Sequence, residues 1–324
     1  MPVSICRDDD LPGRTDWNNH QSCAPPPRPG AIGEAIMEPA FWATLITGPT
    51  VKTVCGPGIS ISMNDEQLMD RCRQSGLPGD LIERLEQLRM ATAALRELYP
   101  PEFVYRINFG ARSLLRELAA PDEQGSHWWQ TGLYIIGEGI AEHPTLHGEF
   151  GGVIADLKTQ LAARLGPYDT VTLREIDSST VNGICLLSEL MRYPQNTFVA
   201  PNAYSLAQAL FRDTAWYRAV YAGKAPVGFV MLDDDTRKQE YYLWRFMIAP
   251  PFQKQGIGAR AVARLIDYVR SRPGATELLV SYIEHEEGPA DFYRGLGFRE
   301  TGEIDEGEVV MRLDLQVPRG KEDN

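Results

Sequence analysis

The sequence lacks long apolar runs. None of its segments reaches the run of about eighteen apolar residues that a membrane-spanning helix needs. Its N-terminus, MPVSICRDDDLPGR, has acidic residues where a secretory signal peptide would have its apolar core. We therefore expect a cytoplasmic protein without a membrane partner.

Cysteine and basic residues are also scarce. The five cysteines are widely spaced and form no CxxC pair, so neither a disulfide framework nor a zinc site is indicated, and no metal is expected. The chain has 32 Lys and Arg against 44 Asp and Glu, a formal net charge of −12. Nucleic-acid phosphates require a basic face, so we expect no such partner. The net negative charge is compatible with a cationic or neutral small substrate, or it serves only to keep the protein soluble.

The length of 324 residues favours two domains. Residues 1–36 are rich in Pro, Asp, Asn and Gly, which predicts an irregular or disordered arm. Residues 37–166 begin with a β-like piece (43–63) and continue with apolar residues at helical spacing between prolines, which predicts a mainly α-helical domain. Short strands alternate with helices over 167–317, and residues 318–324 form a tail.

Within the second domain, the stretch YYLWRFMIAPPFQKQGIGARAVARLIDYVRSR (241–272) predicts a strand, a short loop and an amphipathic helix. Gly256 and Gly258 at the start of the helix cost about 1 kcal/mol each relative to Ala in a helix interior. Glycines there let an anion approach the free N–H groups of the first turn, which predicts a phosphate or pyrophosphate site. Alternatively, Gly256 ends a turn and Gly258 permits close packing of helix on strand.

This arrangement resembles the GNAT acyl-CoA N-acyltransferase superfamily. Its [QR]-x-x-G-x-[GA] signature stands at 253–258, and its F-Y-x-x-x-G-F stretch at 292–298. The resemblance covers about 171–315 and implies an α/β fold over 167–317, with a mixed central sheet flanked by helices. It implies acetyl-CoA as cofactor, bound by Phe246, Met247, Ile248, Gln253, Lys254, Gln255, Gly256, Ile257, Gly258, Ala259 and Arg260. The helical half resembles no family that we recognise.

Expulsion of a thiolate from a thioester is easier when a hydroxyl near the sulfur donates a proton. The resemblance implies that Tyr293 is this general acid; alternatively, Tyr293 is a packing aromatic whose hydroxyl bonds a backbone carbonyl. The amine must also lose a proton. Glu284 and His285, at the end of the predicted strand ELLVSYIEH, are candidate bases, with Glu240 a weaker one. They are alternatively solvated strand-end residues, and a chain of waters is a further route.

We predict an acetyl-CoA-dependent N-acetyltransferase that transfers an acyl group to a small molecule's primary amine by direct attack on the thioester. Within the superfamily, the C-terminal half is most similar to the bacterial spermine/spermidine-acetyltransferase-like branch. The acidic residues of this half either bind a polycation or serve only solubility. Trp244 stands at a position where some polyamine enzymes of this branch have an acidic residue. These acidic residues are Asp233, Asp234, Asp235, Glu300, Glu303, Asp305, Glu306 and Glu308.

Two alternative functions remain open. One is a non-catalytic acyl-CoA-binding regulatory protein, and the other is an enzyme that acylates a natural product or an antibiotic. The helical half either shapes the acceptor site or mediates assembly, for example as a homodimer.

The helical half contains one stretch with metal-ligand spacing. His143 and His147 stand four residues apart, which can present two imidazoles to a divalent metal from one helix face. Pro144 between them argues against a continuous helix, and Gly148 is expected to end any helix that forms. A role without metal is therefore favoured. The pair Trp128-Trp129 predicts a core or interface anchor.

Overall fold

The structure is a computed structural model, and it describes residues 64–119, 128–165 and 170–316. The predicted arm (1–36), the β-like piece (43–63) and the tail (318–324) lie outside the described residues. Residues 166–169 lie outside them too, and the boundary between the two predicted domains falls there. That boundary therefore stays a prediction.

The described residues up to Leu165 fold into helices, as predicted. Their bounds are Asp65–Gln74 (α1), Gly79–Leu98 (α2), Pro101–Ala119 (α3), Trp129–Ala141 (α4) and Pro144–Leu165 (α5). Asn64 and Gln67 form a capping box at the start of α1, each side chain accepting from the other's backbone N–H at 2.9 Å. Prolines begin α3 and α5, where a missing N–H costs no helical hydrogen bond.

Helix α5 continues through Gly148, so the expected helix end at this residue is wrong. A glycine in a helix interior costs only about 1 kcal/mol. Burial of the apolar side chains along α5 outweighs that cost. These buried side chains are Leu146, Phe150, Val153, Ile154, Leu157 and Leu161.

Helices α3 and α4 approach each other closely at two glycines. A Cβ on Gly132 would lie 2.4 Å from the carbonyl oxygen of Gly110, a separation that only the absence of a side chain allows. The contact brings the apolar faces of α3 and α4 together in the helical core, where Leu114 and Leu133 are fully buried.

The second half of the chain is built on a seven-stranded sheet. The strands are Val171–Arg174 (β1), Ala215–Ala222 (β2), Ala225–Asp235 (β3), Glu240–Ile248 (β4), Glu277–Tyr282 (β5), Arg299–Asp305 (β6) and Glu308–Asp314 (β7). Their order is β1-β2-β3-β4-β5-β7-β6. Only the β4–β5 pair is parallel among the strands that the structure describes. The sheet is therefore mixed, and the predicted fold class is confirmed.

Helices cover both faces of the sheet. They are Val181–Glu189 (α6), Asn202–Ala209 (α7), Ile257–Arg270 (α8) and Ala290–Gly295 (α9). Met247 of β4 contacts Asn202 of α7, whereas its neighbour Phe246 stacks on Phe292 of α9. Because successive strand residues point to opposite faces, α7 and α9 lie on opposite sides of β4. We call these sides the α7 face and the α9 face.

The helical half packs against the second half of the chain. Ile135 of α4 belongs to the core cluster of the sheet, and Phe109, Trp128 and Tyr134 pack against that cluster. The contact at Trp128 is close, because a Cβ on Gly183 of α6 would lie 2.3 Å from the indole ring. Trp128 and the buried Trp129 are thus core anchors, as predicted.

No helix in the described ranges is both long enough and apolar enough to cross a membrane.

Candidate functional site

Strands β4 and β5 separate after a short contact. In the described part of the chain they are joined by two residue pairs, Tyr242 with Leu279 and Leu243 with Val280. Strand β4 nevertheless stays paired with β3 as far as Ile248, across a bulge that leaves Trp244 without a partner. The end of β4, residues 244–248, therefore lines an opening inside the sheet, which we call the gap.

The gap exposes backbone hydrogen-bonding groups of β4. The N–H of Ala249 donates to the carbonyl of Val227 at 2.8 Å, so Met247, two residues earlier, also directs its backbone groups towards β3. By the same alternation, the backbone groups of Phe246 and Ile248 point into the gap. Of the three residues predicted to pair with an extended ligand, these two have the backbone orientation for it.

A short loop, Gln253–Gly256, leads into α8, and we call it the Gln253 loop. Two of its residues have left-handed backbone, Lys254 with φ 58° and Gly256 with φ 71°. A Cβ on Gly256 would meet nothing within 4 Å, so backbone conformation rather than space favours glycine there. The predicted turn role of Gly256 is thus present beside its place at the helix entrance.

The first turn of α8 presents unpaired backbone donors. Within the described residues, no acceptor pairs with the N–H groups of Ile257, Gly258 or Ala259, and Arg260 is the first whose N–H bonds back, to Gly256 O at 3.2 Å. These donors lie at the positive end of the helix dipole. Lys254 is exposed beside them. The arrangement fits an anionic group such as a pyrophosphate.

The side chain of Gln253 ties its loop to two other parts of the protein. Its Nε2 donates to Ile248 O at 2.8 Å and to Gln195 Oε1 at 3.0 Å, and it lies 3.9 Å from the sulfur of Met191. Gln195 and Met191 belong to the segment between α6 and α7. Gln253 therefore acts by positioning the loop against β4 and that segment.

Gly258 lies beside Phe292 and Ile248, but this packing does not require a glycine. A Cβ there would lie 3.4 Å from the ring of Phe292 and 3.7 Å from Ile248 Cγ1, which is ordinary contact. The Phe292 ring in turn stacks on Phe246, with centroids 6.0 Å apart and an interplanar angle of 10°. Gly258 thus packs close to the gap while its N–H stays unpaired.

The outer side chains of this region are exposed and polar. Gln255 Nε2 donates to Pro251 O at 3.0 Å, and Arg260 Nη2 donates to Gln255 O at 3.3 Å. Gln130 of α4 donates to the same Pro251 carbonyl at 2.9 Å. The helical half is therefore in direct contact with the segment that holds the Gln253 loop.

Tyr293 lies in α9 and is buried, with 6% of its surface exposed. Its ring packs edge-on against Phe292 and Phe298. Among the described residues, no acceptor or donor bonds its hydroxyl, so the backbone-carbonyl bond of the packing interpretation is absent. Burial raises the pKa of Tyr293 above its ordinary value, and the nearby Glu308 and Tyr242 raise it further. The hydroxyl therefore keeps its proton at neutral pH.

The candidate bases Glu284 and His285 lie just beyond β5, and both are exposed. His285 Nδ1 accepts from the N–H of Glu287 at 3.0 Å, and its ring lies 5.3 Å from that of Phe198. Glu240, the weaker candidate, is exposed at the start of β4. None of the three contacts Tyr293 within the described residues, so their role as bases stays a prediction.

A polar cluster at the gap was not predicted. It consists of Tyr242, Arg245, Ser281 and Glu308, and we call it the Glu308 cluster. The Ser281 hydroxyl donates to Glu308 Oε2. Burial raises the pKa of Tyr242; a hydrogen bond with Ser281 opposes this shift, and the Glu308 carboxylate adds to it. Only the pairing of β5 with β7, which brings Ser281 beside Val310, reveals the grouping.

Arg245 extends this cluster towards α7. Its Nη2 donates to Gln208 Oε1 at 3.2 Å and its Nη1 to Trp244 O at 2.8 Å, while its Nε is buried without a hydrogen-bond partner in the described structure. Burial lowers the pKa of Arg245, and the Glu308 carboxylate opposes that shift. The cluster thus lies on the α7 face.

The other acidic residues are mostly exposed or paired within the chain. Asp233 bonds Arg212, and Asp234 bonds Arg272 at 3.0 Å. Asp235 accepts from the backbone N–H groups after it and lies 3.6 Å from Lys238 Nζ. In the β6–β7 hairpin, Glu300 bonds Arg294 at 2.7 Å. These pairs hold turns and helix ends together.

A separate cavity of about 290 Å³ lies between α2, α3, α4 and α6. Aromatic and acidic side chains line it, and the acids are paired: Arg192 with Glu138, and Arg106 with Glu189 at 3.0 Å. Its lining includes Met191, which contacts Gln253, but no residue of the gap or of α9 among those described.

The two histidines of the helical half are not on one helix. His143 precedes α5 and packs edge-on against Tyr99, with ring centroids 5.3 Å apart, while His147 lies within α5. In the parts of the chain that the structure describes, no group of three or more His, Cys, Asp or Glu side chains is arranged to hold a metal ion.

Comparisons with known proteins point to one family. Residues 186–298 match the model of the acetyltransferase (GNAT) family. This match includes the gap, the Gln253 loop and Tyr293, and it ends at Phe298. A comparison with curated protein sequences finds no match.

Solved structures of acetyltransferases are similar to part of the chain. The ribosomal-protein-S18-alanine N-acetyltransferase from Escherichia coli is 15% identical, with 47% of this chain and 98% of that chain covered and a TM-score of 0.36. A spermidine/spermine N-acetyltransferase from Vibrio cholerae is 16% identical, with 46% and 94% covered and a TM-score of 0.37. An aminoglycoside 6'-N-acetyltransferase complexed with coenzyme A is 17% identical, with 46% and 98% covered and a TM-score of 0.37.

TM-scores below 0.5 give these likenesses no weight of their own, so the assignment rests on the family match over 186–298. That match agrees with the mixed sheet and with the predicted resemblance. Enzymes of this family use acetyl-CoA as acyl donor. The chain therefore contains a domain of the acetyltransferase (GNAT) family and is an acyltransferase that uses acetyl-CoA.

Proposed function

We propose that this protein transfers the acetyl group of acetyl-CoA to the primary amine of a small molecule by direct attack of the amine on the thioester. The observation that carries the proposal is the hydroxyl of the buried residue Tyr293, which no described residue bonds and which keeps its proton. A protein that only binds acyl-CoA has no need of a protonated hydroxyl at that place.

The donor is held at two places in this proposal. The unpaired N–H groups of Ile257, Gly258 and Ala259 bind the pyrophosphate, with Lys254 adding positive charge. Both backbone groups of Phe246 and the N–H of Ile248 point into the gap and bind the extended arm as a neighbouring strand would, whereas the Ile248 carbonyl already accepts from Gln253. Of the predicted cofactor-binding residues, Phe246, Ile248, Lys254, Ile257, Gly258 and Ala259 thus contact the donor in this proposal, while Gln253 positions the loop.

The reaction needs an acid for the departing sulfur. An unperturbed thiol has a pKa near 8.5, so a thiolate is a poor leaving group unless a donor lies close to it. Tyr293 supplies that donor from helix α9, on the α9 face of the sheet. The amine approaches from the α7 face, where the segment between α6 and α7 and the Glu308 cluster lie.

The proposal is tested by measuring release of free thiol from acetyl-CoA. The panel of amines includes spermidine, aminoglycosides and amino acids, so that polyamine and antibiotic acceptors are compared directly. We expect amine-dependent thiol release above the hydrolysis background. Acetyl-CoA binding in calorimetry without thiol release for any amine would favour the non-catalytic binding protein instead.

A further inference from the structure

Glu308 differs from the other acids of the β6–β7 hairpin. It is partly buried, whereas Glu300, Glu303, Asp305 and Glu306 are exposed. Its carboxylate accepts the Ser281 hydroxyl, and among the residues that the structure describes it forms no ion pair within 4.0 Å. Glu308 is therefore a partly desolvated, oriented carboxylate without a bound cation of its own.

The pairing of the strands directs Glu308 to the α7 face. Ser281 pairs with Val310, and Glu308 stands two residues before Val310, so both side chains point to the same face. Tyr242 pairs with Leu279, two residues before Ser281, and shares that face. An acceptor bound on this face of the gap therefore lies on the same side of the sheet as the Glu308 carboxylate.

Glu308 is also close enough to act on the proposed general acid. Its charge is one of the influences that keep the Tyr293 hydroxyl protonated, after burial. The negative charge of Glu308 also raises the pKa of Tyr242, and it opposes the lowering of the Arg245 pKa by burial. The Glu308 carboxylate and the Tyr293 hydroxyl therefore interact electrostatically, although they come from β7 and α9.

Arg245, the cation of the Glu308 cluster, forms no ion pair with Glu308. Both terminal nitrogens of Arg245 donate elsewhere, to Trp244 O and to Gln208 Oε1. The guanidinium therefore leaves the carboxylate free to hold a second cation, while it limits the negative charge of the site. This favours an acceptor with a single ammonium group near the gap.

Resting on the proposed function, we infer that Glu308 binds the acceptor's ammonium group and removes one of its protons. The resulting free amine forms a C–N bond to the thioester carbonyl carbon, and the C–S bond breaks with its electron pair on sulfur. Tyr293 protonates the sulfur, while the nitrogen releases its second proton to water. The Glu308 carboxyl then gives up its proton and the Tyr293 oxygen regains one, so one proton is released in total.

The test replaces Glu308 by Gln, which keeps the shape and removes the charge. With the panel amine that gives the highest thiol release, we expect kcat/KM to fall about 10²–10⁴-fold, with a raised KM for the amine. Glu308→Asp should recover part of this loss. Affinity for acetyl-CoA and the thermal midpoint should stay near those of the unchanged protein. Glu303→Gln, an exposed charge removal in the same hairpin, is the matched control and should leave kcat/KM unchanged.

Three results would contradict the inference. An unchanged kcat/KM in Glu308→Gln overturns it alone and leaves the proposed function intact. Equal losses in Glu308→Gln and Glu303→Gln mean that the hairpin's overall charge matters and not Glu308. No thiol release by the unchanged protein with any amine overturns the proposed function, and this inference with it.

Discussion

Replacing Tyr293 by Phe should slow the reaction without weakening the protein. The change keeps the ring that packs between Phe292 and Phe298 and removes only the hydroxyl. Loss of a general acid costs about 10²–10⁴-fold in kcat, which corresponds to about 2.7–5.4 kcal/mol of transition-state stabilisation. Because no described residue bonds the hydroxyl, its removal leaves no partner unsatisfied.

Stability therefore separates the two interpretations of Tyr293. Since Tyr293→Phe removes no hydrogen bond to a described residue and keeps the buried ring, it should leave the free energy of unfolding nearly unchanged. A structural hydrogen bond would instead predict a loss of about 1 kcal/mol with near-normal turnover. The measurements are kcat by thiol release, the thermal midpoint and acetyl-CoA affinity by calorimetry on one preparation. Turnover equal to that of the unchanged protein would refute the role of Tyr293 as acid.

Three further predictions concern the donor site and the helical half. Gly258→Asp should weaken acetyl-CoA binding in calorimetry at least about fivefold relative to the neutral Gly258→Asn, because unit charges 4 Å apart repel by about 1–4 kcal/mol. Equal affinities would show that the pyrophosphate does not bind at this position. Gly183→Ala should lower the free energy of unfolding by about 1–3 kcal/mol, since its Cβ would lie 2.3 Å from the Trp128 ring. In the matched control, Gly148→Ala, nothing lies within 4 Å, and we expect about 0.5–1 kcal/mol of stabilisation in denaturant titrations. A fragment that begins at Tyr168 should fold and bind acetyl-CoA, though less stably; an insoluble fragment would mean that the two halves share one core.

Local patterns were sufficient to predict the strand, loop and helix that form the proposed donor side of the site. The strand, loop and amphipathic helix around Gly256 and Gly258 depend on residues close together in the chain, and the structure has each of these elements. The burial of Tyr293 follows equally from its place in a short segment with Phe292 and Phe298. Short-range signals of this kind are readable from sequence because backbone conformation and helix termini depend on neighbouring residues.

Contacts between distant segments were not predictable in the same way. In the sequence, nothing distinguishes Glu308 from the other acidic residues of the hairpin. Its special place depends on the register of β5 and β7, which brings it beside Ser281. The bonds of Gln253 depend on where the segment between α6 and α7 lies. Helix α5 continues through Gly148 because burial of its apolar face outweighs the low helix propensity of glycine.

The gap places a strand edge in the interior of the sheet. An unpaired strand at the border of a sheet is a template on which other chains add strands and aggregate. Here the unpaired length of β4 faces β5 instead, and the stacked rings of Phe246 and Phe292 lie between β4 and α9. With β5 across from it and α9 over one face, this edge is not at the outer border of the sheet, and a thin unbranched chain can lie along its hydrogen-bonding groups. The protein can therefore keep a permanently open β-edge as a recognition surface without exposing it to strand addition by other molecules.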